Sequence, residues 1–219
     1  MQDHMSLCPY IAFEGPIAAG KTTLATLLAL HISSDLVLED FEGNEFLADF
    51  YSNRDRWSLP MQLWFLSARI PPLKSIQRTG ERATIADYTS RKDPLFARLL
   101  LKDRELRLFN RVAAVAAGDV SQPDLIVYLD ARTDILLERI RQRGRIYEDA
   151  IDGAYLDALR DAYDGDLMST GRLNVFRYDT STLDLNSEAQ KRSLYETIMA
   201  SVPTIDQNDV GQRRATVSI

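Results

Sequence analysis

The chain has 219 residues, 45% apolar and 26% charged, with a formal net charge of −6. That is enough for one medium-sized domain with its own core, and the acidic balance argues against a surface built to coat a nucleic-acid polymer. No apolar run approaches the roughly 18 residues of a membrane span, and MQDHMSLC lacks a basic start followed by an apolar signal core, so a cytoplasmic protein without a membrane partner is expected. A single cysteine, Cys8, with only two histidines excludes an internal disulfide and a zinc site. Cys8 reads as a small apolar residue ahead of the first strand.

The first predicted element is a short apolar strand, Tyr10–Glu14. It runs into Gly15-Pro16-Ile17-Ala18-Ala19-Gly20-Lys21-Thr22, which meets the pattern G-x-x-x-x-G-K-[ST] at every fixed position, with Thr23 following. Glycines let such a backbone curl until its N–H groups face phosphate oxygens. Lys21 brings a charge to the β- and γ-phosphates, and the Thr22 hydroxyl is a ligand for Mg²⁺. The next residues are apolar at helical spacing and predict a helix over Lys21–Ile32. Strand, loop and helix N-terminus together form an anion site, so a nucleoside triphosphate is the expected ligand.

A strand over Leu36–Glu39 follows, and its last residue, Glu39, precedes Asp40-Phe41-Glu42-Gly43-Asn44. A carboxylate at a strand's carboxyl end beside a triphosphate is placed to deprotonate an acceptor hydroxyl. Position alone equally allows a helix cap or a solvent-facing side chain. Helices are predicted over Asn44–Tyr51 and Arg56–Ile76, the second kinked at Pro71-Pro72. Along the second, Gln62 and Arg69 lie seven residues apart and share a face. An amide is the usual reader of a base edge. Trp57 and Phe65 read as core or as stacking surface for a base.

The remaining pattern alternates a strand over Ala83–Asp87, a helix over Pro94–Ala117, a strand over Leu125–Leu129, a helix over Thr133–Arg143, a helix over Gly153–Thr170, a strand over Leu173–Tyr178 and a helix over Ser187–Ala200. Arg139 and Arg143 are four apart on one helical face, with Arg141 and Arg145 close by, and Gly144 ends that helix. Such a basic cluster in an acidic chain suits a mobile flap that closes on an anion; paired with Glu138 or Glu148 it would be an ordinary solvated face. The alternation predicts an α/β fold with a five-stranded parallel sheet flanked by helices, a P-loop NTPase-type three-layer arrangement with an Arg-rich lid. Ligands of open α/β sheets sit beyond the strands' carboxyl ends, which puts Glu14, Glu39, Asp87 and Asp130 on one rim.

Taken together, GPIAAGKT, LVLED, FYSNRDRWSLPMQLWFLSAR, IADYTSRKDPLFA and ERIRQRGRIYED, in that order, resemble the deoxyribonucleoside kinases, the deoxycytidine, deoxyguanosine and deoxyadenosine kinases among them. The resemblance spans Tyr10 to about Tyr178. It implies one kinase domain over residues 1–202 with a lid at about 139–150 and a homodimer through the long helices Arg56–Ile76 and Pro94–Ala117, while 203–219, polar and with little periodicity, reads as a loose tail. It implies transfer of the ATP γ-phosphate to the 5′-hydroxyl of a deoxynucleoside, with Mg²⁺, in nucleotide salvage. Glu39 then matches the catalytic base, Tyr51 and Glu148 the pair on the sugar 3′-hydroxyl, and Gln62 the amide that reads the base. Trp57 and Phe65 fall near the base pocket. Arg69 and Asp93 match the pair lining its floor, which favours deoxyadenosine or deoxyguanosine, then deoxycytidine, with thymidine last. Asp87 joins Thr22 as a Mg²⁺ holder, and Arg139, Arg143 and Arg145 match the lid arginines. Lys21, Glu39, Arg139 and Arg143 form the implied catalytic set.

One departure stands out. Where the family carries acid-Arg-Ser/Thr after its third strand, this chain has Asp87-Tyr88-Thr89. Tyr88 offers a hydroxyl but no positive charge, leaving Arg91, Lys92 or the lid to supply it. Two other functions share parts of the pattern. A nucleoside monophosphate kinase, thymidylate kinase for example, needs cations at its acceptor phosphate, where Glu39 and Glu148 would repel it. A non-enzymatic nucleotide-sensing module has no need of Glu39.

Overall fold

A computed structural model describes residues 8–118, 120–168 and 173–204. The strand β1 (Tyr10–Glu14) is buried along its whole length, because it is the middle strand of a five-stranded sheet. Its neighbours are β2 (Asp35–Val37), β3 (Thr84–Ala86), β4 (Leu125–Asp130) and β5 (Val175–Asp179), in the order β2-β3-β1-β4-β5. All four pairings are parallel. The chain leaves β1 towards one edge and crosses to the other after β3, so the strand order reverses at β1, the point where open α/β sheets bind ligands.

Alternation along the strands distributes the core over two faces. Ile11 and Phe13 of β1, with Ile85, Val127 and Leu129, meet Leu24 and Leu28 of α1 (Lys21–Ile32), Leu136 and Ile140 of α6 (Thr133–Arg143) and Ile198 of α8 (Glu188–Ala200). Tyr10, Ala12 and Ala86 on the other face meet Leu66, Ile70 and Leu73 of α3 (Arg54–Lys74) and Phe109 and Ala113 of α5 (Asp103–Ala117). Ile126 and Tyr128 pack on Leu95 of α4 (Lys92–Leu100) and on Leu159 and Tyr163 of α7 (Gly153–Met168). This is the expected three-layer α/β arrangement. The short helix α2 (Leu47–Ser52) lies against α3.

Several boundaries differ from the sequence reading. The predicted helix over Pro94–Ala117 is two helices. Leu101 and Lys102 take extended dihedrals, Leu101 is buried in the core, and Asp103 and Glu105 stand in the first turn of α5, where acidic side chains favour a helix start. The run Leu99-Leu100-Leu101 keeps the apolar pattern going across the break, which hides it from periodicity. The strand β2 stops at Val37, two residues short of Glu39, because β3 ends at Ala86 and Asp87 turns its carboxylate onto the Glu39 N–H at 2.7 Å. Pro71 and Pro72 do not interrupt α3, which runs on to Lys74. The predicted start of α2 at Asn44 is a turn, with Asn44 accepting the N–H of Phe46 on its side chain at 3.0 Å. The helix end at Thr170 and the tail from residue 205 lie outside the described residues. Cys8 is buried, as expected, and its thiol donates to Gly80 O.

Gly15 explains the first fixed glycine of the loop. Its φ is +143°, and a Cβ there would stand 2.0 Å from Leu129 O. Gly15→Ala is therefore expected to cost at least about 2 kcal/mol. That would lower the thermal midpoint by roughly 4 °C or more for a domain of this size, read by differential scanning calorimetry; an unchanged midpoint would show that the close approach is not needed.

Candidate active site

The loop between β1 and α1 wraps one end of a cavity of about 740 Å³. Gly20 takes φ +98° and Ala18 φ +65°, the left-handed dihedrals that turn successive N–H groups to one side. Ile17, Ala18, Ala19, Gly20, Lys21, Thr22 and Thr23 all line it, while Gly15 and Pro16 stand behind. Lys21 Nζ donates to Gly15 O and Pro16 O, both at 2.8 Å, so the loop's own carbonyls hold its ammonium group. Burial first, then the charge of Lys92, lowers its pKa to about 7. Thr22 Oγ1 donates to Asp87 Oδ2 at 2.6 Å. A hydroxyl and a carboxylate are hard oxygen donors of the kind Mg²⁺ takes while keeping water and substrate oxygens as its other ligands.

Beyond the loop, Glu39 faces the cavity from the segment after β2. Its Oε1 accepts from Arg69 Nε at 2.6 Å and its Oε2 from Lys92 Nζ at 2.6 Å. Burial alone would raise its pKa, but Arg69 and then Lys92 hold it at about 2. Arg69 also binds Asp93, so the expected Arg69–Asp93 pair is one half of a larger network, Asp93–Arg69–Glu39–Lys92. Burial raises the Asp93 carboxyl against the pull of Arg69.

The α3 face predicted from spacing is present. Gln62 and Arg69 line the same cavity with Phe65 and Met61. The Gln62 amide group donates to Met61 Sδ, while its Oε1 is buried without a partner among the described residues, as is Asp93 Oδ2. Gln62 lines the cavity and Asp93 sits behind it, paired to Arg69, and a buried polar atom left without a protein partner calls for another, which a ligand can supply. Arg69 also stacks over Phe65 at 4.1 Å. Trp57 does not line the cavity but stands next to it: its ring stacks on Phe46 at 5.8 Å and packs on the cluster of Phe50, Met61 and Phe65, three residues that do line it.

Tyr51 and Glu148 both line the cavity, as do Arg139, Arg143 and Arg145. Two of the arginines share one partner. Arg143 and Arg145 hold Glu148 at 2.6 and 3.4 Å, and Glu148 is carried on a 3₁₀ turn, Ile146–Ala150. Arg139 binds Thr180 O at 2.6 Å and Thr180 Oγ1 at 2.9 Å. Gly144 caps α6 at φ +66°, as its position in the sequence predicts.

Sequence reasoning does not reach one wall of the cavity. Thr180, Leu183, Asp184, Leu185 and Asn186, between β5 and α8, complete it beside the phosphate loop, with Thr180 Oγ1 donating to Ala19 O at 3.1 Å. A polar loop without a motif gives no signal in one sequence. Lys92 lines the cavity too; the sequence offers it, beside Arg91 and the lid, only as a source of the charge missing at Tyr88.

The arrangement joins a triphosphate loop to a buried carboxylate and a half-apolar cavity with unpartnered polar atoms, which suits transfer of a phosphoryl group to a bound alcohol. Comparison with known proteins agrees. The profile of the family described as Deoxynucleoside kinase matches residues 11–205. The chain is 35% identical over 164 residues to a deoxyguanosine kinase of Bacillus subtilis, covering 73% of this chain and 79% of that protein. It is 31% identical to a deoxyadenosine kinase of Dictyostelium discoideum, covering 70% of this chain and 64% of the other. In fold it resembles a deoxyadenosine kinase from M. mycoides solved with products dCMP and a flexible dCDP bound, with a TM-score of 0.75 at 22% identity over 87% of this chain and 98% of that one. Among the described residues no helix is long and apolar enough to cross a membrane. The chain belongs to the deoxynucleoside kinase family, a family of ATP-dependent phosphotransferases.

Proposed function

We propose that this deoxynucleoside kinase acts in salvage in the cytoplasm on purine deoxynucleosides, deoxyguanosine and deoxyadenosine ahead of deoxycytidine, with Glu39 as the base at the 5′-hydroxyl. The observation that carries the reading is Glu39 itself, a carboxylate in a cavity lined by the phosphate loop and by Gln62 and Arg69, with Asp93 paired to Arg69 behind them. An acceptor whose base lies against Gln62 and the Arg69–Asp93 pair and whose sugar lies towards Tyr51 and Glu148 brings its primary alcohol to Glu39. Gln62 and Asp93 add acceptor atoms and Arg69 a donor, a mixed set that suits a purine edge. Phe65 supplies an aromatic wall. The names of the B. subtilis and D. discoideum relatives support the purine preference, and a B. subtilis relative named for both deoxyadenosine and deoxycytidine, 24% identical over 92% of this chain, keeps deoxycytidine second.

Lys21 and the loop N–H groups bind the triphosphate, and Thr22 with Asp87 holds Mg²⁺, which when bound neutralises charge on the β- and γ-phosphate oxygens. Arg139, Arg143 and Arg145 act as the lid over the phosphates, within a single domain over residues 1–202. Glu148 hands its arginines over as the donor arrives, because a carboxylate and a phosphate compete for the same guanidinium groups. Three apolar side chains on α5, Leu108, Val112 and Val115, are exposed at i, i+4 and i+7 and form one stripe, which supports a homodimer through this helix.

Three outcomes test this reading. Glu39→Gln is expected to lower kcat by about 10²- to 10⁴-fold while ATP affinity stays within about threefold, read by steady-state kinetics and calorimetry; unchanged turnover would remove Glu39 from its role. Across the four natural deoxynucleosides with ATP and Mg²⁺, kcat/KM for the purines should exceed that for thymidine by at least about tenfold, and Arg69→Ala should flatten this preference more than it weakens ATP binding. Thymidine as best substrate would overturn the base assignment. In sedimentation equilibrium the chain should have twice its monomer mass and Val112→Glu should lower it towards one; a single-chain mass for the parent would contradict the dimer.

A further inference from the structure

Lys92 opens α4 with 6% of its surface exposed. Its ammonium group lies in the cavity, donates to Glu39 Oε2 at 2.6 Å and stands 6.0 Å from the Phe96 ring. Stability alone does not call for a lysine here. Burying an ammonium group is costly, and Arg69 already pairs Glu39 through Oε1. Lys21 of the phosphate loop lines the same cavity, and the charge of Lys92 helps to lower its pKa. Two ammonium groups therefore converge on the region between the loop and Glu39, and an incoming anion is the natural third party between them.

The other cations near the site are committed elsewhere. Arg91 turns outward to Asp166 at 2.9 Å, a carboxylate it shares with Arg98. Arg139 holds Thr180, and Arg143 and Arg145 hold Glu148. Tyr88 is buried and gives its hydroxyl to Arg69 O at 3.1 Å, so it brings no charge to the reaction.

We propose that Lys92 is a catalytic residue, its ammonium group moving from Glu39 onto the transferring phosphoryl group once both substrates are bound, and supplying the positive charge absent at Tyr88. This rests on the reading of Glu39 as the base. In the step, the 5′-oxygen forms its bond to the γ-phosphorus as the bond from that phosphorus to the β–γ bridging oxygen breaks. The bridging oxygen keeps the electron pair and leaves with ADP, and the hydroxyl proton passes to the Glu39 carboxylate. Lys92 stays protonated throughout. Its departure frees Oε2 to accept the hydroxyl, so the contact seen without substrates is a resting position.

The test is steady-state kinetics of the full chain carrying Lys92→Met, Lys92→Arg, or Lys92→Ala with and without ethylammonium chloride. Lys92→Met is expected to lower kcat by about 10²-fold or more, with KM for ATP and for the deoxynucleoside within about threefold of the parent. Lys92→Arg should regain at least about tenfold of that loss, and ethylammonium should raise the rate of Lys92→Ala saturably. A kcat for Lys92→Met within about threefold of the parent, or a loss that neither arginine nor ethylammonium restores, overturns the proposal. Should Lys92→Met fail to fold, the ethylammonium comparison decides. Loss of turnover in Glu39→Gln with full turnover in Lys92→Met overturns this proposal alone; the reverse overturns the base reading and leaves the cation's role standing.

Discussion

The site depends on one buried charge network, Asp93–Arg69–Glu39–Lys92, in which two carboxylates and two cations balance. Isolated charges at this depth would be prohibitive, and even paired ones recover their desolvation cost only with good geometry. The elements are arranged to provide it. The helix α3 delivers Arg69, α4 begins with Lys92 and Asp93 side by side, and Asp87 fixes the Glu39 backbone where β2 has ended. Asp93 Oδ2 in this network and Gln62 Oε1 beside it have no partner among the described residues, and the proposed base edge supplies one.

This network also reconciles a strongly acidic Glu39 with the base's role proposed for it. A carboxylate clasped by Arg69 and Lys92 is a poor proton acceptor, and a substrate that draws one cation away makes it a better one. Catalysis of phosphoryl transfer is largely positioning and charge compensation. A lysine that serves the carboxylate at rest and the phosphoryl group in the transition state avoids leaving either charge uncompensated. The proposed lid repeats the same logic on a second carboxylate, with Arg143 and Arg145 resting on Glu148.

How much of this is legible in the sequence varies by residue. The phosphate loop is local chemistry, and β1 and α1 have the bounds that composition predicts, Tyr10–Glu14 and Lys21–Ile32. The shared face of Gln62 and Arg69 follows from helical period alone. The break at Leu101 is not legible, since three leucines satisfy both the end of α4 and the core beneath it. Glu39 reads as a strand terminus because LVLE is β-prone, yet its strand length is set by the partner β3, a tertiary fact. Lys92 is the deepest case. A lysine in a helix's first turn ordinarily reaches solvent, and only the packing of α4 against α7 and α3 with Glu39 opposite turns it inward. The wall from Thr180 to Asn186 is brought in by the last parallel strand and has no pattern of its own.

The position of the acceptor alcohol decides the role of Glu39 most directly. A crystal structure of the chain with deoxyguanosine and a non-hydrolysable ATP analogue should place the 5′-oxygen within about 2.6–3.2 Å of a Glu39 carboxylate oxygen, with the base edge against Gln62 and the Arg69–Asp93 pair. A 5′-oxygen turned away from Glu39, with the carboxylate still held by both Arg69 and Lys92, would contradict it.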